Sequence, residues 1–251
     1  MDIRKHNSSA WDGYVEKEDR WTVPVSEQEL EQAKLGKWGI VLTPKKTVPH
    51  NWFPKLKGLK ILGLASGGGQ QGPILATLGA DVTIFDNSEK QLKQDETISK
   101  QNNLGIKTIQ GDMRDLSIFE DGCFDLVFNP CSVLFVDNVL PIWKECFRVL
   151  KPNGILMTGL MNPLAFQLHE KNLSLIYKQP FSDIDSLPKE ELEELIKNNE
   201  ALVFGHSLTD QIGGQLLAGF HITHMFEDDW GGDNPMDAYF PAFIGTRAIK
   251  P

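Results

Sequence analysis

From residue 59 onward, apolar runs of strand length alternate with stretches of helical pattern, and no other feature restricts the fold of this chain so severely. LKILGLA predicts a strand and PILATLGA a helix. DVTIFD predicts a strand and SEKQLKQDETISKQNNL a helix. IKTIQG and FDLVFNP read as two further strands, VLPIWKECFRVL as a helix and GILMTGLM as a strand. Strands alternating with helices of this length imply an α/β fold with a doubly wound, mostly parallel sheet. ILGLA and FDLVF are near-continuous apolar runs, as strands buried on both faces are. HITHMFEDD and AFIGTRAIK close the chain as two more strands, an antiparallel hairpin at one sheet edge with the last strand antiparallel, which makes seven.

In open parallel sheets ligands sit beyond the carboxyl ends of the strands. Four strand ends should therefore share one crevice: ASGGGQQG, FDNS, QGDMRD and FNPCSV. Gly67-x-Gly69-x-x-Gly72 also fits the dinucleotide fingerprint, a weak signal when it stands alone. Glycines let backbone approach a ligand closely, and a helix N-terminus follows. Asp86 closes the second strand, where a carboxylate can accept both hydrogen bonds of a ribose diol. Asp112 could take a hydrogen bond from an exocyclic amine, and Asn129 with Pro130 could flank the ligand on its other side. Each also has a purely structural reading: Asp86, Asn87 and Ser88 as helix caps, Asp112 as a turn residue. At this level a dinucleotide and S-adenosylmethionine both remain compatible.

Composition excludes several alternatives. The net charge of −9 argues against a partner that is tracked through its phosphates; the Lys-bearing stretches LTPKKT and FPKLKGLK are the only basic candidates, so nucleic acid is not expected. No apolar run approaches the length of about 18–20 residues that a membrane span needs, and MDIRKHNSSAWDG has no apolar signal core. Cys123, Cys131 and Cys146 are odd in number and lack metal-ligand spacing, so reduced thiols in a cytoplasm, and no metal, are expected.

Residues 1–52 hold four of the six tryptophans (Trp11, Trp21, Trp38 and Trp52), a density foreign to disordered tails. Ser26 and Glu29 form a capping box for a short helix that Gly36 ends. This segment reads as an N-terminal arm packed on the core domain of residues 53–251, with or without a role in covering the ligand. Residues 163–206 interrupt the alternation with an acidic helix, PKEELEELIKN, and read as an insertion, either a lid or a plain surface helix. Ser207 and Asp210 open a helix over LTDQIGGQLLAGF.

ILGLASGGGQQG, VTIFDNS, IQGDMRDL, FDLVFNPCSVLFV and CFRVLKPNGILMTG, in that order and spacing, resemble the motifs of class I S-adenosylmethionine-dependent methyltransferases. The Trp-rich arm and LASGGGQQ loop further resemble a bacterial subgroup of them. The resemblance spans about residues 59–161, and HITHMFEDD with AFIGTRAIK resembles the family's sixth and seventh strands. It implies that Ala65, Ser66, Gly67, Gly68, Gly69 and Gln70 hold the methionine end of S-adenosylmethionine and that Asp86 holds the ribose, with Asn87, Ser88 and Gln91 beside it. Gly111, Asp112 and Met113 would hold the adenine. Asn129, Pro130, Cys131 and Val133 would line the methyl donor and the substrate entrance. The chain departs from the family at Gly63, where members carry an acid that helps to hold the cofactor's amino group, and at Ala65, where they carry glycine. Gln70, Gln71 or an arm residue are the expected replacements.

Methyl transfer from a sulfonium needs alignment rather than a protein nucleophile. His206 is the first candidate for a general base, with His50 and His169 behind it, although each also reads as an ordinary capping or surface histidine. Pro130-Cys131 matches the dipeptide of cytosine carbon-5 methyltransferases, in which the Cys attacks covalently; a buried structural Cys is the plainer reading. The expectation is a small-molecule methyltransferase. A non-catalytic S-adenosylmethionine-binding protein and a nicotinamide-dependent oxidoreductase are the alternatives.

Overall fold

The computed structural model describes residues 1–169 and 173–251. The chain opens with α1 (Ile3–Glu16), whose Asp2 cap accepts the Lys5 N–H, and α2 (Glu27–Lys34), which carries the full Ser26–Glu29 capping box. Then come β1 (Lys60–Leu64), α3 (Gln71–Thr77), β2 (Asp81–Asp86), α4 (Glu89–Asn102), β3 (Lys107–Gln110), β4 (Phe124–Asn129), α5 (Leu140–Val149) and β5 (Leu150–Met161). Beyond β5 lie β6 (Phe181–Ser182), α6 (Asp183–Ser186), α7 (Lys189–Lys197), β7 (Phe204–Gly205), α8 (Gly214–Leu217), β8 (His221–Asp228) and β9 (Phe243–Ile249). The sheet order is β3-β2-β1-β4-β5-β9-β8. The first five strands run parallel, and β9 is antiparallel to both β5 and β8.

Alternate residues of β1 leave for opposite faces of the sheet, the period-two pattern of a strand. Ile61 joins Leu75, Ile84 and Leu126 on one face; Leu62 and Leu64 join Phe85, Trp143 and Phe220 on the other. The first face is completed by the arm: Leu30, Ile40, Leu42 and Trp52 belong to the same buried cluster as Ile61. Residues 1–52 therefore have no hydrophobic core of their own. Their fastening is polar as well. Asp228 Oδ2, at the end of β8, accepts from Thr43 Oγ1 and from the backbone N–H groups of Lys45 and Lys46. The Cys131 N–H donates to Leu42 O at 2.9 Å. That contact requires Gly159 on β5, where a Cβ would stand 1.9 Å from Leu42 O.

Three local details differ from the sequence expectation. α1 shows no helical run of apolar residues, because much of the face it presents is polar: Asn7, Ser8 and Asp12 all bond to the body of the protein. β5 begins at Leu150 rather than Gly154, because Leu150 already pairs with Phe124 ahead of a register shift. Thr209–Gly213 winds as a π-helix before α8; Gly214 is needed there because a Cβ would lie 2.6 Å from the Trp143 ring. Of the insertion at 163–206, residues 170–172 lie outside the described residues. The rest forms a ribbon of β6 and β7 with α6 and α7.

Candidate active site

The strand ends do converge on one cavity of 1310 Å³, larger than the roughly 300–1,000 Å³ of ordinary ligand pockets. Its floor is built from Ala65, Ser66, Gly67, Gln70, Asp86, Asn87, Gln91, Asp112, Met113, Pro130 and Cys131. Its roof comes from the arm: Asn7 and Trp11 of α1, and Trp21 and Val23 beyond it. The far wall comes from the segments after β5, with Phe166, Tyr177, Phe181, Trp230 and Phe243 the aromatic members.

Asp86 organises the floor. Its Oδ2 accepts the Gly67 N–H and its Oδ1 the Ser88 N–H, both at 2.9 Å. Burial pushes the carboxyl up, and the Ser88 and Gly67 amides draw it partly back. A Cβ at Gly67 would lie 2.8 Å from Gln91 Cβ and 3.1 Å from the Asp86 carboxylate, so a larger residue would push one of them aside. One residue on, the Gly68 N–H donates to Asp95 Oδ2 of α4 at 3.0 Å. Two successive amides of the glycine-rich loop thus point at carboxylates. The loop keeps neither of these two amides free for a phosphate. It suits a ligand that brings hydroxyls and a positive charge.

Asp112 is held in a fork by Arg114, with Nε and Nη2 on its Oδ2 at 3.1 and 2.7 Å. Burial works to raise the Asp112 carboxyl, but Arg114 outweighs it and keeps it below the usual range. Met113 is buried beside it, and Phe85 lies beneath Gly111, where a Cβ would stand 2.0 Å from the ring. Asn87 faces the cavity with its amide tied to α1: Nδ2 donates to Arg4 O and Oδ1 accepts from Arg4 Nε.

Several expected site residues stand behind the cavity wall. Gly68, Gly69, Ser88, Gly111, Asn129 and Val133 do not line it. Asn129 is fully buried and saturated: Nδ2 donates to Leu64 O and Ser132 Oγ, and Oδ1 accepts from Thr158 Oγ1, all at 2.8 Å. It pins β4 to its neighbours. Ser88 caps α4 and donates to Asp12 Oδ1 of the arm. His206 is buried outside the main cavity, Nε2 against Val133 O at 3.1 Å. Burial lowers its pKa despite that carbonyl, and it does not line the main cavity. His50 stacks on Trp38 away from the cavity; His169 does line it.

Cys131 lines the cavity, but burial pushes its thiol up to about 12, the opposite of what a nucleophilic cysteine needs. The two glutamines line the cavity with their side chains bonded to the arm. Gln70 Nε2 donates to Trp21 O and Val23 O at 3.0 Å, and Gln71 Oε1 accepts the Val41 N–H. Sequence reasoning missed the α1 residues, Arg114 and Asp95. The Asp2 cap was the available signal for α1; Asp95 gave none, since its helix reads as solvated.

Residues 62–158 match the family described as Methyltransferase domain. The chain is 52% identical over 250 residues, 98% of its own length and 97% of the relative's, to the "Uncharacterized methyltransferase YbaJ" of Bacillus subtilis (strain 168). It is 30% identical over 115 residues, 45% of this chain and 48% of the other, to a ubiquinone biosynthesis O-methyltransferase of Xanthomonas campestris pv. campestris. The crystal structure of an S-adenosylmethionine-dependent methyltransferase from Mesorhizobium loti superposes with a TM-score of 0.62 at 18% identity, over 79% of this chain and 94% of the other. On these grounds the chain belongs to the class I S-adenosylmethionine-dependent methyltransferases.

Proposed function

We propose that this methyltransferase acts on a small, largely apolar acceptor inside the cavity closed by the arm and the post-β5 segments. The roofed cavity carries this reading. Its floor has the donor-side residues, and its far end has aromatic walls with room left for a second molecule. The charge argument points the same way: Arg4, Arg20 and Arg114 share the lining with Asp86, Asp112, Asp183, Glu29, Glu191 and Glu194. A phosphate-tracking groove is lined with the opposite balance. Among the described residues no helix is long and apolar enough to cross a membrane, and the three cysteines are free thiols, which supports a cytoplasmic setting.

The residues fit the donor. Asp86 has lone pairs left for a ribose diol, and Met113 offers an apolar surface to adenine. The Ala65–Gly67 backbone lies within reach of an amino-acid end. Once bound, S-adenosylmethionine supplies a sulfonium-borne methyl group for in-line displacement. The protein's part is alignment and exclusion of water. Trp11, Trp21 and the arm backbone close the cavity from above. At the acceptor end Asp183 is buried and lifted to about 6, with its Oδ2 on the Val203 N–H; it and His169 are the groups placed to take a proton from an acceptor.

The test is release of S-adenosylhomocysteine in the presence of acceptor panels. Turnover with small apolar alcohols, phenols or amines is expected. Turnover confined to RNA or to protein substrates would contradict the acceptor class.

A further inference from the structure

Six buried side-chain polar atoms have no hydrogen-bond partner among the described residues, and four of them ring the glycine-rich loop: Ser66 Oγ, Gln91 Oε1, Gln94 Oε1 and Asp95 Oδ1. The two glutamine oxygens and Asp95 Oδ1 are acceptors, and the Ser66 hydroxyl can accept as well as donate. Buried acceptors without donors are costly, and a cluster of them marks the place of an absent donor. Ser66 and Gln91 border the cavity floor. Asp95 is fully buried below it, with Oδ2 on the Gly68 N–H.

The space at residue 63 explains why an acid arrives from this side. A Cβ at Gly63 would stand 2.4 Å from Ser66 Oγ and 2.5 Å from Ile84 Cδ1. The same Ile84 methyl lies 2.7 Å from the Cβ position of Gly72, which in turn is 3.3 Å from Asp95 Oδ1. Ser66 and Ile84 thus fill the room that a side chain from β1 would need, and a carboxyl reaches the underside of the loop from α4 instead.

We propose that Asp95 is a positioning residue for the methyl donor: its carboxylate fastens the glycine-rich loop from below and supplies negative charge beneath the donor's α-ammonium group. This rests on the donor reading given above. Alone in the ligand-free protein the Asp95 carboxyl is lifted to about 8, chiefly by burial, with the Gly69 and Gly68 amides pulling against it and Asp86 adding to it. A cation above the loop favours the ionised form.

Two probes separate the amino-acid end from the nucleoside: S-adenosylhomocysteine, which carries the ammonium, and 5′-methylthioadenosine, which lacks the whole amino-acid portion. Calorimetric titration of Asp95→Asn is expected to show S-adenosylhomocysteine bound about tenfold more weakly or worse, with 5′-methylthioadenosine changed less than about twofold. Equal weakening of both would reduce Asp95 to a packing residue, and no change in either would remove it from the site. A second measurement needs no variant. At pH 7, in buffers of different ionisation enthalpy, the unaltered protein should release a proton on binding S-adenosylhomocysteine but not on binding 5′-methylthioadenosine. Equal proton release with both overturns the proposal. If the unaltered protein binds neither probe, the donor reading itself fails, an outcome distinct from the others.

Discussion

Single residues in this protein are tuned mostly by burial. Asp95 shows the sign of the effect. An ordinary aspartate loses its proton near 3.9, whereas Asp95 in the folded chain holds its proton up to about 8. Below about pH 4 both states are protonated. As the pH rises from there to about 8, the unfolded chain gives up the proton first, so folding becomes progressively less favourable. The ligand-free protein should therefore lose stability relative to Asp95→Asn across that window, with the gap in thermal midpoint widening toward pH 8 and then levelling. A gap independent of pH would show that Asp95 titrates normally. Burial shifts Cys131 and His206 as well: it raises the thiol to about 12 and lowers the imidazole. Their neighbours in sequence suggested chemistry, but reactivity depends on the surroundings, which only the folded chain supplies.

At the scale of elements, the strands of the seven-stranded sheet and the helices between β1 and β5 were legible because each carries its own signal, whereas the β6–β7 ribbon was not foreseen. Strands buried on both faces must be largely apolar, as the fully buried Leu126, Val127 and Phe128 of β4 are. Helix α4 opens on a serine cap and closes on Asn103 in the left-handed region at φ 54°. Helix α1 carried only its Asp2 cap and no apolar periodicity. Its sequence, IRKHNSSAWDGYVE, holds few apolar residues, and its attachment is mainly polar. Asn7 Nδ2 donates to Phe135 O and Leu202 O at 2.9 Å, and its Oδ1 accepts the Leu202 N–H at 2.8 Å. Tyr14 donates to Glu200 and accepts from the Ala201 N–H. Asn7 thus joins the roof of the cavity to the segment between α7 and β7. Asn7→Ala would strand the Leu202 N–H and two carbonyls; at about 1–3 kcal/mol for an unsatisfied buried group, a stability loss of about 2–3 kcal/mol is expected in denaturant unfolding. A loss below about 0.5 kcal/mol would mean that α1 is not held through Asn7.

For the whole molecule, the four polar strand ends foreseen from the sequence do meet in one cavity, because the parallel topology brings their carboxyl ends to one edge. The division of labour within those ends was not legible. Asn129 and Asp112 look equally polar on paper, yet Asn129 has its hydrogen-bonding capacity absorbed between strands while Asp112 reaches the cavity. The choice of a sulfonium donor over a dinucleotide rests on the methyltransferase family and fold, and the Gly67 and Gly68 amides, both taken by carboxyl groups of the protein, agree with it. That choice is the centre of the account. Its most direct test is calorimetric titration of the purified protein with S-adenosylmethionine, S-adenosylhomocysteine and nicotinamide dinucleotides, with Asp86→Ala as the control. Micromolar binding of the first two, weakened at least tenfold by Asp86→Ala and accompanied by silence from the dinucleotides, is the predicted result. Binding of a dinucleotide in preference to both, or donor binding indifferent to Asp86, would contradict it.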